Sequence, residues 1–170
     1  MSATKGIFLL DANVFIEPYK KFYSFTIAPG FWEFLKNEIM AGNVALLDVV
    51  VKEISKGKDD LAAWLGTITT SYVDRRSPDI LASYAKVLNH IQTSGYYTER
   101  ALATWSGAIA DPWIIATADA RKYTVVTFEQ PNSSLGTSLS SKPKIPDICR
   151  ELDVKYVSLY QFMNACGFSF

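Results

Sequence analysis

Two cysteines are all that this chain of 170 residues carries, and neither belongs to a metal-type C-x-x-C pair. Cys149 and Cys166 are too few for a disulfide framework, so they read as buried free thiols in a reducing cytosol. Long apolar runs are missing as well. Ile7–Leu10 is too short for a signal-peptide core and ends in Asp11, and no stretch approaches the roughly 20 apolar residues of a membrane span. A cytoplasmic protein without membrane attachment is the expectation. The chain also lacks a net charge, since 17 basic residues balance 17 acidic ones. A nucleic-acid binder ordinarily carries a basic excess, so this balance counts against that class until the acids are placed.

What is present is a globular composition, 49% hydrophobic, with no internal repeat and no linker that would divide the chain. One domain over residues 1–170 is expected. Gly6-Ile-Phe-Leu-Leu-Asp11 and Asn43-Val-Ala-Leu-Leu-Asp48 suit strands buried on both faces, as in parallel sheets. Tyr123-Thr-Val-Val-Thr-Phe128 is a β-branched strand ended by Glu129, and Val154–Val157 is a last strand. Pro18 and Pro29-Gly30 are read as chain breaks. Helical spacing follows at Phe31, Phe34, Leu35 and Ile39, and Val49–Ser55 reads as a short helix. Asp59 or Asp60 caps the next, through Leu61, Trp64 and Leu65. Ser77-Pro78-Asp79 opens a helix whose apolar positions are Ile80, Leu81, Tyr84, Val87, Leu88 and Ile91. Thr98 caps another helix, and Asp111 is a natural N-cap with Pro112 behind it. Residues 130–144 read as a Ser-, Pro- and Gly-rich loop. Strands alternating with helices imply a parallel α/β sheet of about four to five short strands flanked by helices, with a helical middle near residues 59–110.

Four acids come from separate segments that such a fold can bring to one edge. Asp11 and Glu129 end buried strands, where α/β sites form. Asp111 starts a helix, and Glu53 lies one turn into the helix after the second strand. Gathered without a cation they would repel one another and hold their protons more tightly. Hard cations such as Mg²⁺ remove that conflict and pair with substrate phosphates. With those four acids set aside as ligands, thirteen acids face seventeen bases, a balance of +4.

The segment Leu-Leu-Asp11-Ala-Asn13-Val-Phe-Ile resembles the opening strand motif of PIN domains. Asp111-Pro-Trp-Ile-Ile-Ala-Thr-Ala118 resembles that family's helix motif, and Val-Val-Thr127-Phe-Glu129 is similar to its next strand. Glu53 in Val-Val-Lys-Glu-Ile matches the family's acid after the second strand. The resemblance runs from Gly6 to the last helix. It implies a three-layer PIN-like fold and a metal-dependent endoribonuclease using Mg²⁺ or Mn²⁺. Asp11, Glu53, Asp111 and Glu129 would be catalytic metal ligands, with Asn13 and Thr127 positioning the site. RNA would be the substrate. A toxin role in a bacterial toxin–antitoxin pair, a cognate antitoxin and a homodimer come with the family. Glu129 stands where aspartate is commoner, and the helical middle is larger than in compact PIN toxins. Both point to a less-characterised branch.

Other readings compete. A haloacid-type phosphatase needs a second acid at position 13, which is Asn. A response-regulator receiver needs adjacent acids and a late lysine that these strands do not offer. A dinucleotide domain needs a Gly-rich turn after the first strand. A scaffold that binds RNA or protein without catalysis is the alternative within the same fold. Asp119 reads as a solvated acid, His90 as exposed and inert, and the tryptophans as core. Lys20-Lys21, Lys56 with Lys58, and Arg75-Arg76 read as solvated pairs. The 130–144 loop is expected to flank the cleft and to order on binding RNA or antitoxin.

Overall fold

The computed structural model describes residues 6–170, and the first five residues of the expected domain lie outside that range. Four strands form one parallel sheet: β1 (Phe8–Leu10), β2 (Val44–Ala45), β3 (Thr124–Val126) and β4 (Tyr156–Val157). Their order is β2-β1-β3-β4. The strands are shorter than the apolar runs suggest, although ladder bonding continues past them. Phe8 N–H donates to Asn43 O (2.9 Å) and Thr124 N–H to Ile7 O (2.9 Å).

Nine α-helices lie among the described residues: α1 (Ala12–Glu17), α2 (Pro29–Met40), α3 (Asp48–Ser55), α4 (Asp60–Gly66), α5 (Pro78–Thr93), α6 (Glu99–Trp105), α7 (Asp111–Arg121), α8 (Ile145–Glu151) and α9 (Leu159–Ala165). The result is the expected α/β three-layer architecture. Helix α7 packs on β1 and β3, and α5 covers α7 in the most extensive helix pairing. Ile114, Ile115, Ala116, Thr117 and Ala118 of α7 are all buried. A helix apolar on every side belongs in the interior. Its one buried hydroxyl, Thr117, donates to Trp113 O at 2.7 Å. Phe162 of α9 meets Phe8 of β1 edge-on at 5.0 Å and Phe34 of α2 at 5.8 Å.

The caps follow local chemistry. Asp59 accepts from Ala62 N–H (3.0 Å), Thr98 from Ala101 N–H (3.3 Å), and Ser158 with Gln161 forms a capping box. Ser77 departs from this pattern. Its hydroxyl donates to Asp74 O (2.8 Å) and makes no cap bond.

Pro18 does not break the chain. Helix α1 runs into a π-helical turn over Pro18–Phe22, closed by Tyr23 N–H donating to Pro18 O at 2.7 Å. The proline stands at the junction, where its fixed φ is helical and its missing N–H goes with the change to the wider turn. Leu81, expected inward, is 44% exposed.

Residues 130–144 follow a tethered path. Asn132 N–H donates to both carboxylate oxygens of Asp147 (3.0 and 3.2 Å), a side chain only 1% exposed. Further along, Ser140 N–H donates to Tyr96 O (2.9 Å) and Thr98 N–H to Ser140 O (3.0 Å). Asp147 drew no notice in the sequence because an acid in a helix's first turn is ordinarily solvated. Asp147→Ala leaves a buried amide without its acceptor. It should lower the unfolding free energy by about 1–3 kcal/mol, read from urea denaturation.

Candidate metal centre

A sheet ordered β2-β1-β3-β4 has a switch point between β1 and β3, where the connections leave in opposite directions. Crevices open there, beyond the carboxyl ends of the strands. Asp11 follows β1 directly, and its N–H donates to Val126 O of β3 at 3.0 Å. Asp11 is only 3% exposed and Thr127 only 2%. The Thr127 hydroxyl donates to Asp11 Oδ2 at 3.5 Å and accepts from Glu129 N–H at 3.1 Å. One hydroxyl thus orients the buried acid and fixes the turn that presents the next.

Asp111 does not cap α7. Ala110 occupies the N-cap position, and Asp111 is the first helical residue, without a side-chain cap bond. The helix starts one residue earlier than it would with Asp111 as its cap, and the carboxylate lines the neighbouring cleft instead. Glu129 is half-buried and reaches toward α8, where Ile145 N–H donates to its Oε2 at 2.7 Å. Lys144 Nζ stands 3.9 Å from its Oε1. Glu53 is exposed on α3 at the cleft rim, and Asn13 is exposed at the start of α1.

The acids act on one another. Burial, then Asp111, Glu129 and Glu53, push the Asp11 carboxyl up to about 7; the Asn13 backbone N–H opposes this. Burial, then Glu129 and Glu53, push Asp111 up to about 6, against the pull of Lys144. The coupling reaches all four acids, yet among the described residues no three His, Cys, Asp or Glu side chains stand close enough to hold a metal ion. Both statements hold, because Coulomb coupling acts over several ångströms while ligand oxygens must gather within about 2.0–2.6 Å of an ion. The hydrogen bond from Ile145 and the nearby Lys144 ammonium hold Glu129 toward α8. The donor set itself is all carboxylate oxygen with one hydroxyl, the chemistry that Mg²⁺ and Mn²⁺ prefer. Asp11, Asp111 and Glu129 could hold such an ion, with Glu53 reaching in from the rim.

Basic groups flank the acids. A cleft of about 650 Å³ contains Lys52, Glu53, Lys56, Arg75, Asp111 and Trp113 among its lining residues. A second, of about 530 Å³, shares Asp111 and adds Arg100 and Lys142. Lys56 stays exposed while lining the first cleft, and Arg75 pairs with Asp48. Only the i, i+4 spacing of Lys52 and Lys56 signalled the basic flank in the sequence.

Two residues read as solvated are engaged elsewhere. Asp119 accepts from Ser83 and Lys86, both at 3.0 Å, and its side chain is 11% exposed. His90 Nε2 lies 2.5 Å from Glu151 Oε2, and Tyr97 OH donates to the same carboxylate at 3.2 Å. His90 is therefore a partly buried bridge from α5 to α8 and stands outside the crevice chemistry. Cys149 is buried and Cys166 half-buried, both without disulfides. Burial, then Glu129, pushes the Cys149 thiol up to about 12.

Fold and site together define an α/β domain with a carboxylate crevice at the switch point of a parallel sheet. The chain belongs to the family of the domain of unknown function DUF4411, whose profile matches residues 8–170. No curated protein and no solved structure matches it.

Asp11 and Asp111 bind protons more tightly folded than unfolded. Between the ordinary carboxyl value of 3.8 and about 7, the folded state carries the extra protons, so stability falls as pH rises through that window. Urea denaturation at about pH 5 and about pH 8 should show the metal-free protein weaker at the higher pH, by on the order of a few kcal/mol. Asp11→Asn should remove much of that slope.

Proposed function

We propose that this chain is a metal-dependent nuclease of PIN-like type that hydrolyses phosphodiester bonds of RNA. The observation that carries the reading is the Asp11–Asp111 pair. Two carboxyl groups from different segments are held in one crevice at raised proton affinity, an arrangement that a divalent cation would relieve. Buried acids whose proton affinity is raised by desolvation and neighbouring carboxylates mark a candidate working site.

Asp11, Asp111 and Glu129 would hold Mg²⁺ or Mn²⁺, with Glu53 as the outer ligand. A cation held there supplies a water of lowered pKa and offsets charge on the phosphodiester. Thr127 keeps the Asp11 carboxylate aimed, and Asn13 braces it through the backbone at the head of α1. Glu129 has to leave the Ile145 N–H, wholly or in part, to bring its second oxygen inward. Lys144 stays near to meet the phosphate. The resemblance adds a toxin role, with a cognate antitoxin protein, a possible second copy of the chain as partner and a cytoplasmic setting. Among the described residues no helix is long and apolar enough to cross a membrane.

One observation favours a second reading, a PIN-like scaffold that binds RNA or protein without cutting. Among the described residues no three acids converge on one point. Metal binding separates the two, because a ligand that binds the folded state stabilises it. On the nuclease reading, millimolar Mn²⁺ raises the melting temperature and supports cleavage of a labelled mixed RNA pool. EDTA abolishes both, and Asp11→Asn lowers the rate by at least about a hundredfold, the scale of losing a preorganised charge at a reacting centre. A melting curve unmoved by Mn²⁺, with intact RNA, would leave the scaffold.

A further inference from the structure

The cleft beside Asp111 holds an aromatic stack that the carboxylate chemistry leaves unused. The rings of Trp113 and Tyr84 lie parallel, 3.7 Å between centroids and 13° between planes. The other aromatic pairs described are tilted or edge-on, as in the Trp32–Trp64 and Phe31–Trp32 contacts of the core. The Arg75 guanidinium lies over the Trp113 ring, 5.4 Å from its centroid. Arg75 is held there by Asp48, which accepts its backbone N–H at 3.3 Å and stands 3.9 Å from its Nε. Arg75, Tyr84 and Trp113 line the cleft that also contains Lys52, Lys56, Glu53 and Asp111.

The stack joins α5 to α7 and also borders a solvent-facing cleft. Trp32 and Trp105 are closed into the core at 2% and 3% exposure, whereas Trp113 and Tyr84 are half-buried at a polar cleft. Tyr84 stacks on Trp113 and Arg75 lies over the same ring, so the stack presents the Arg75 guanidinium, a planar cation on which another flat ring stacks, and the two nearby ammonium groups accept anions. An unpaired nucleobase with phosphates on either side has that combination of features.

We propose that Arg75, Trp113 and Tyr84 form a base-stacking subsite for single-stranded nucleic acid, with Lys52 and Lys56 taking the phosphates next to the stacked base. The inference rests on the phosphodiester reading of the neighbouring acids. It adds a selection rule to it. A base must leave its duplex to stack here, so the cleft favours unpaired strand over duplex. It tolerates any base, because every base has a π face.

The test is fluorescence anisotropy in EDTA, where no strand is cut. The probes are a labelled single-stranded oligoribonucleotide, the same strand with abasic positions, and its duplex. The wild type should bind the base-bearing strand about ten- to a hundredfold more tightly than the abasic strand, the range set by one stacked base. In Trp113→Leu that ratio should fall to about one while the abasic strand still binds. Trp113 also packs on α5, so Arg75→Gln, at the cleft mouth, gives an independent check. Circular dichroism verifies the fold of both. Equal wild-type binding of the two strands overturns the subsite, as does a ratio that survives in both folded variants. No binding of any strand also overturns it and points to an aromatic, acidic protein segment. A ratio that behaves as expected without Mn²⁺-dependent cleavage sinks only the hydrolysis reading. Cleavage with a ratio of one sinks only the subsite.

Discussion

Asp11 cannot leave the interior. Its backbone N–H is part of the β1–β3 ladder, which fixes its Cα between the central strands, and the residue is only 3% exposed. A charge held in a low-dielectric pocket must be neutralised, paired or solvated by fixed dipoles. The surroundings supply little: the Thr127 hydroxyl at 3.5 Å and an opposing backbone N–H from Asn13. Asp111 and Glu129 then add charge of the same sign. Asp11 and Asp111 therefore hold protons more tightly than ordinary carboxyls do. Much of the local architecture manages that conflict. Thr127 aims Asp11, the first residue of α8 ties back Glu129, and Lys144 balances the rim.

Overall neutrality conceals a strongly patterned crevice. Carboxylates occupy its floor, and basic residues stand on both sides, Lys52, Lys56 and Arg75 toward one cleft and Arg100 and Lys142 toward the other. A charge balance counted along the chain averages these away, whereas the local field depends on where each charge stands. The zero net charge that argued against nucleic-acid binding therefore carries less weight than the arrangement does. The acidic floor cancels the basic flanks in the count but not in space.

Much of the fold was legible because its signals are local. The run Ile-Phe-Leu-Leu before Asp11 reads as a doubly buried strand, and β1 is buried at all three of its residues. Thr98 and Ser158 cap the helices that their spacing implies. Misreadings arose where a local rule met a tertiary alternative. Pro18 reads as a break but heads a π-helical turn. Asp111 reads as a cap but sits inside its helix, because a cap bond competes with a crevice that the sequence does not display. His90 reads as exposed because its partner, Glu151, lies 61 residues away on another helix.

Sequence by itself determined most of the strands and helices, that the sheet is parallel, and that Asp11, Asp111 and Glu129 stand near element ends. Those follow from periodicity, capping and the requirement that buried strands be apolar. Tertiary structure decided the strand order and hence the switch point. It decided that Asp11 and Asp111 share one electrostatic environment while Glu53 stays at the rim, and that Glu129 leans on α8. It also decided that Arg75, Trp113 and Tyr84, from three separate segments, come to face one cleft. The physical reason is common to all of these. They depend on contacts between residues distant along the chain, whose geometry is set by how layers pack and not by any pattern within a single element.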